Sequence, residues 1–273
     1  METVGGAAVK QKIRFDGVTR EFHTRLQTIV AVKDYSMEIT EGEFVSILGA
    51  SGCGKSTLIR MLDGIIAPSA GNIYIDGEPV NGRGGMPPAL RRKVGFIFQQ
   101  PNLLPWYSVR ENVALPLRIL GLKGKEWEDR VDTLLAMVGL EKYADASPAE
   151  ISGGMLQRVG VIRALVHNPE ILLMDEPFGA LDELYREQLD MELLQIWQKT
   201  GQTIIFITHN IEEAVLMSSR IFVMGTHPGR LVDTVDIGLP RPRSLDMITQ
   251  DDFTGYCRRI TGLIGKLDLS KIK

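Results

Sequence analysis

The sequence predicts an α/β fold built on a parallel sheet, with an antiparallel β layer ahead of it and a helical stretch set into it. Three observations carry this reading. Continuous apolar runs of strand length recur at Phe44–Leu48, Val94–Phe98, Ile171–Met174, Thr203–Ile207 and Ile221–Met224, as expected of strands buried on both faces. Between two of them lies a helix-like stretch with Leu189, Leu193, Ile196 and Trp197 on one face, and strand, helix, strand in that order makes a parallel crossover. Three of the runs end in polar residues of catalytic type: Leu48 enters a glycine-rich loop, Met174 leads into Asp175-Glu176, and Ile207 into Thr208-His209. Open α/β sheets bind ligands at the carboxyl ends of their strands, so these pieces are expected to meet at one site.

In chain order, Ile13-Arg14-Phe15, Ile29–Val32 and Tyr35–Ile39 are short β-rich segments broken by polar turns, which reads as the antiparallel layer. A further strand pair follows at Asn72–Asp76 and Gly77–Val80. From about residue 101 to 168 the pattern turns helical, with Trp127, Val131, Leu134, Leu135 and Val138 at helical spacing and Gly139 as the stop. That stripe is read as core. Pro240-Arg241-Pro242-Arg243 reads as an extended linker. Beyond it Phe253, Tyr256, Cys257, Ile260 and Ile264 recur at helical spacing, a stripe read as packing on its own domain or a sister subunit rather than as an interfacial membrane helix. The expected organisation is one domain over residues 11–240 with the helical part inserted, and a helical extension over 241–273.

Composition narrows the function classes. The 273 residues are 44% hydrophobic with a net charge of −3, which gives no footprint for nucleic acid. No basic segment followed by an apolar one opens the chain, and no run nears the roughly 18 apolar residues of a membrane span. Two cysteines, Cys53 and Cys257, are too few for a disulfide framework. The expectation is a cytosolic chain that meets a membrane only through a partner.

The loop Gly49-Ala50-Ser51-Gly52-Cys53-Gly54-Lys55-Ser56, continued by Thr57, has the form G-x-x-x-x-G-K-S/T between a strand and a helix. Its glycines let successive N–H groups face one point, and the helix N-terminus adds donors and positive dipole. Lys55 would reach the β- and γ-phosphates of a nucleoside triphosphate and Ser56 would hold Mg²⁺. Asp175 is placed to hold the metal shell from a strand end, and Glu176 to accept a proton from an attacking water. Ile151-Ser152-Gly153-Gly154-Met155 offers a helix cap with two glycines, a second anion site apart from the first. Cationic surroundings would lower the pKa of Cys53, although a structural role is the reading preferred here.

On these residues the chain resembles the ATP-binding subunits of ABC transporters, over roughly residues 12–240. The resemblance implies a P-loop NTPase (RecA-like) core with an inserted ABC-type helical subdomain, binding ATP and Mg²⁺. Gly49–Ser56 match Walker A; Asp175 and Glu176 match the end of Walker B with its catalytic glutamate; Gln99 matches the Q-loop glutamine that senses metal and water. Ser152, Gly153 and Gly154 match the signature that closes on ATP held by the opposite subunit, Ala180-Leu181-Asp182 the D-loop, and His209 the switch histidine. Ile151 and Met155 depart from the usual leucine and glutamine, so backbone and Ser152 are expected to carry that contact. Phe22 lies in the region of the adenine-stacking aromatic, with Tyr35 as the alternative.

The stretch Phe98–Trp106 is most similar to importers of nitrate, sulfonates, taurine and related compounds. The resemblance implies a second ATPase subunit, an integral-membrane permease, an extracytoplasmic solute-binding protein, and a place on the cytoplasmic face of the membrane. An exporter or lipid-transport subunit shares every catalytic residue and stays open as an alternative. Soluble ABC-type ATPases and P-loop kinases fit less well, the first lacking here their second ATPase unit, coiled-coil insertions or zinc cysteines.

Overall fold

The computed structural model describes residues 10–81, 85–179 and 183–269. The D-loop match Ala180-Leu181-Asp182 lies outside the described residues. Strands β1 (Gln11–His23) and β2 (Thr28–Thr40) form a long hairpin. Ile13, Phe15 and Val18 on β1, and Val32, Tyr35, Met37 and Ile39 on β2, are buried on its inner face. The two segments expected around residues 29–32 and 35–39 are thus one strand. The polar interruption Lys33-Asp34 is a bulge, where Val18 pairs with Tyr35 but Arg20 with Val32 and Asp34 takes a φ of 47°.

After strand β3 (Phe44–Leu48) and helix α1 (Lys55–Leu62), strand β4 (Ala70–Ile75) pairs with β1 and carries the short edge β5 (Glu78–Pro79). The first sheet has the order β2-β1-β4-β5, all antiparallel. A short helix α2 (Pro88–Arg91) leads into β6 (Val94–Ile97). Helices α3 (Val109–Ile119), α4 (Lys125–Met137) and α5 (Gly153–Leu165) then make up the helical region. Helix α3 opens with a capping box between Ser108 and Glu111, and α4 ends just before Gly139 at φ 70°.

Strand β7 (Ile171–Asp175), helix α6 (Glu183–Thr200), strand β8 (Thr203–Thr208), helix α7 (Ile211–Met217) and strand β9 (Arg220–Gly225) return the chain to the core. Strand β10 (Arg230–Asp236) turns back antiparallel on β9, completing a second sheet of order β10-β9-β3-β8-β7-β6 whose other five strands are parallel. Every residue of β3 and β8 is buried. One apolar core fills the space between the two sheets and around α1, and a second joins the parallel sheet to α3, α4 and α5.

Helix α8 (Asp251–Leu269) lays Phe253 and Ile260 on α7 and β9 in a third core with Val215 and Val223. The segment before it is not the extended linker that its prolines suggest. Arg243 is buried, and its guanidinium donates to the carbonyls of Val215 (2.8 Å), Leu216 (3.0 Å) and Ser218 (2.6 Å) at the end of α7. Arg241 stacks on Trp197 at 4.2 Å and donates to Met217 O. Orphan carbonyls at a helix C-terminus attract such cations, and here they pin the segment down.

Candidate active site

The chain leaves β3 through Gly49, where a Cβ would sit 2.7 Å from Met224 O and 2.8 Å from Cys53 Sγ. Only glycine lets the loop turn against β9 at that point. At its other end Gly54 has a φ of 105°, and a Cβ there would lie 2.9 Å from Ala31 O, so the loop is also pressed against β2. Between these clamps Ala50, Ser51, Gly52 and Cys53 curl ahead of α1. The Cys53 thiol packs inward and burial pushes it up, above the ordinary thiol value. The Lys55 charge and backbone hydrogen bonds pull the other way, but burial outweighs them, so the thiol is not the lowered one that its cationic surroundings suggest.

Lys55 opens α1 with a buried side chain whose Nζ donates to Gly49 O (2.7 Å) and Ala50 O (3.2 Å) and lies 3.6 Å from Glu176 Oε1. Its neighbour Ser56 donates to Asp175 Oδ1 at 2.8 Å. Burial pushes the Asp175 carboxyl up, and the Ser56 hydroxyl and Arg60 offset part of that. Glu176 follows in the left-handed region at φ 47°. Its Oε2 accepts from Nδ1 of His209 at 3.1 Å. The carboxyl ends of β3, β7 and β8 thus bring together two neighbouring sets of contacts, Ser56–Asp175 and Lys55–Glu176–His209.

All of these but His209 border a cavity of about 300 Å³ whose lining also includes Gly52, Thr57 and Gln99; His209 lies behind Glu176, outside that lining. Gln99 stands at its rim, its Nε2 close to Gly179. A larger cavity of about 750 Å³ lies between α3 and α4, bordered by Arg110, Arg118 and Trp127. None of the residues expected at the site reaches it, so volume and chemistry point to different places, and the chemistry decides.

Ser152 caps α5, its Oγ accepting from Met155 N at 3.4 Å. Ser152 and Gly153 are exposed, and neither they nor Gly154 line the cavity beside Lys55. Ile151 and Met155 instead rest partly on the helical core. Phe22 pairs with Ile29 across the hairpin, two residues before Ala31 of the cavity lining, and does not itself line that cavity. Arg20 stacks on its ring at 4.6 Å. Tyr35 is buried against Phe15, which rules it out as an aromatic that meets a base.

Three contributors carry no sequence signal of their own. Ala31 meets the loop only because the hairpin folds over it. Gln157, buried on α5, donates to Pro177 O and ties the signature helix to the turn after Glu176. Asn112, also buried, bonds Leu104 N, Leu104 O, Tyr107 O and Ser108 O. It thereby fixes the loop that follows Gln99.

The ABC transporter family profile matches residues 32–179. The chain belongs to the ABC transporter family, as an ATP-binding subunit. Among its relatives is a taurine import ATP-binding protein of Rhizobium johnstonii, 49% identical over 79% of this chain and 79% of the relative. An aliphatic sulfonates import ATP-binding protein of Bacillus cereus is 41% identical over 85% of this chain and 88% of its own length. A nitrate import ATP-binding protein of Synechocystis sp. is 39% identical, the shares being 90% and 92%. A solved dimeric structure of the ATP-binding cassette MJ0796, in a post-hydrolysis state bound to ADP and Pi, superposes with a TM-score of 0.74 at 34% identity. It covers 84% of this ABC subunit and 100% of that chain. The α/β core described above is therefore the P-loop NTPase fold of ABC cassettes.

Proposed function

We propose that this ABC subunit hydrolyses ATP to power import of a small anionic solute, of the nitrate, sulfonate or taurine kind, through a membrane permease. The observation that carries the reading is the set of contacts Ser56–Asp175 and Lys55–Glu176–His209 at the strand ends, beside a cavity of about 300 Å³. The identity of relatives named for taurine, sulfonate and nitrate import supports the solute class.

In this reading the loop N–H groups and Lys55 hold the phosphates, and Phe22 supplies a face for adenine. Lys55 exchanges its carbonyl partners for phosphate oxygens, which are the stronger acceptors. Glu176 takes a proton from the water that attacks the γ-phosphorus as the bond to the ADP oxygen breaks, and His209 holds the carboxylate in place. The Ser56 hydroxyl, the Asp175 carboxylate and the Gln99 amide oxygen form an all-oxygen donor set that fits Mg²⁺. When bound there, the ion neutralises phosphate charge.

Phosphate binding on one chain and the exposed Ser152-Gly153 that opens α5 on another suit a two-fold pair, each copy closing on ATP held by its partner. Dimeric cassette structures among the neighbours support this. Trp106, 71% exposed on the loop that Asn112 fixes after Gln99, is suited to a permease contact. No helix among the described residues is long and apolar enough to cross a membrane. The subunit would sit at the cytoplasmic face beneath its permease, with an extracytoplasmic binding protein delivering solute.

The test is to tag the chain, solubilise membranes in mild detergent and identify what co-purifies. A polytopic membrane protein at stoichiometric yield is the expected result. A soluble complex with nucleic acid or ribosomal proteins would overturn the transport reading and leave the ATPase chemistry standing.

A further inference from the structure

Helix α7 runs from the His209 turn towards the C-terminal segment, and side chains hold both of its ends. At its start Asn210 Oδ1 accepts from Glu212 N and Glu213 N, at 2.9 and 3.2 Å, and Thr208 Oγ1 accepts from Asn210 N at 2.9 Å. At its end the carbonyls of residues 215–218 lie beyond the helix's own ladder, which closes with Ser218 N donating to Ala214 O. Two arginines take all four. Arg243 donates from Nη1 to Val215 O, Leu216 O and Ser218 O, and Arg241 from Nη2 to Met217 O at 2.9 Å. Nη2 of Arg243 donates as well to Ile237 O (3.2 Å) and Leu239 O (3.4 Å), folding its own segment back onto the helix end.

A helix of 7 residues is too short to stand alone, so the position of α7 is set by what grips it. Ser218 and Ser219 are tied to β3 through Ser46 Oγ and Phe44 O, which fixes the chain just past the helix and leaves its last carbonyls to the arginines. That grip comes from the C-terminal extension. Phe253 and Ile260 of α8 share an apolar core with Ala214, Val215 and Leu216, and Tyr256 Oη accepts from Gly238 N at 2.9 Å. We propose that the segment holding Arg241 and Arg243 is a strap that seats α7 from its far end and so positions His209 against Glu176. His209 immediately precedes the Asn210 cap, and its Nδ1 reaches Glu176 Oε2 at 3.1 Å, near the long end of the hydrogen-bond range. A shift of α7 by about 1 Å along its axis would break that contact. Arg243 is a positioning residue, acting through α7, and its role rests on the reading that His209 serves ATP hydrolysis.

The test compares the full chain with Arg243→Met, which fills the space of the buried stem and removes every donor, and with Arg243→Lys, which keeps one cation. Steady-state kcat and KM for ATP are measured at a temperature where thermal unfolding shows each protein folded. The ring resonances of the 4 histidines are followed by NMR, that of His209 being assigned by its absence in His209→Ala. In Arg243→Met kcat should fall by about five- to tenfold with KM within about twofold of wild type, because the phosphate loop is untouched. The His209 resonance should move while those of His23, His167 and His227 stay in place. Lysine should recover part of both changes.

Wild-type kcat in Arg243→Met would overturn the proposal while leaving the ATPase reading intact. So would KM rising in step with the loss of kcat, or lost turnover with the His209 resonance unmoved. Should Arg243→Met not fold, Arg243→Lys carries the test alone. Its kcat should then fall by about two- to fivefold at unchanged KM, with the His209 resonance moved, and wild-type kcat there would overturn the strap. No hydrolysis by wild type would remove the ATPase reading and this role with it.

Discussion

The two ends of the parallel sheet treat charge in opposite ways. At the amino ends, Lys12 (1% exposed) is ion-paired with Asp76 and Glu170, and Lys93 joins the same Asp76. Arg220 meets Glu43 at 2.6 Å, Gly42 N donates to Thr203 Oγ1, and Trp197 donates to Gly42 O. Burial alone would push the Asp76 carboxyl up, but hydrogen bonds from Lys93 and Lys12 outweigh it and hold Asp76 below its ordinary value. At the carboxyl ends the pairing is looser, with Lys55 3.6 Å from Glu176 Oε1. Lys55 leans on two carbonyls, Asp175 is raised by burial, and Glu176 occupies a left-handed backbone position, which costs a non-glycine residue about 1–2 kcal/mol. One end staples the two sheets together; the other keeps its binding capacity for a ligand.

The comparison makes predictions that separate activity from stability. The largest effect belongs to Lys55→Ala, which removes the ammonium that contacts the loop carbonyls and Glu176. ATP hydrolysis should fall by about 10²–10³-fold or more, with Tm within a few degrees of wild type. A large loss of Tm would make Lys55 a structural pin like Lys12. Asp76→Ala should do the reverse. It should cost about 2–4 kcal/mol of unfolding free energy in urea while leaving kcat near wild type. Because the Asp76 pKa is depressed, its contribution is present above the ordinary carboxyl pKa and lost as pH falls through the folded value. The gap between the two proteins should accordingly close in acid. A gap independent of pH would show that the ion network does not stabilise the staple.

The smallest effect is at Asp63, the C-cap of α1 at the end away from the phosphate loop. Burial pushes its carboxyl up to about 6, with only Arg91 opposing, and a negative charge at a helix C-terminus is itself unfavourable. A raised carboxyl loses stability as pH rises through its folded value, so Asp63→Asn should stabilise the protein at neutral pH by about 1–2 kcal/mol. The gain should vanish below about pH 4. A loss of stability at pH 7 would mean that this carboxylate is paired as securely as Asp76.

Much of the carboxyl-end site was legible because buried strands leave an unmistakable boundary. Ile171–Met174 and Thr203–Ile207 are wholly apolar, so Asp175, Glu176 and His209 stand out as the first polar groups after them, and the glycine loop marks the third strand end. The staple was not legible. Lys12, Asp76, Lys93 and Glu170 are scattered along the chain and look like ordinary surface charges until the two sheets stack. The same holds for Arg243, which reads as part of a proline-rich linker yet is buried against five carbonyls. Gln157 sits in a helix, where polar residues normally face water. Strand β10 mixes Arg230, Asp233 and Asp236 with Val232 and Val235, a pattern that declares itself only once β9 supplies the partner. Ser152 was found by motif, but its exposure on this chain is a fact of the fold.

The measurement that bears most directly on the central claim is ATP binding and ATP hydrolysis side by side for Glu176→Gln. The amide keeps the shape beside Lys55 and His209 but cannot take a proton from water. Binding should stay within a few-fold of wild type while turnover falls by about 10²–10⁴-fold. Hydrolysis at the wild-type rate would contradict the assignment of Glu176 as the base, and with it the claim that the carboxyl ends of the sheet perform the chemistry.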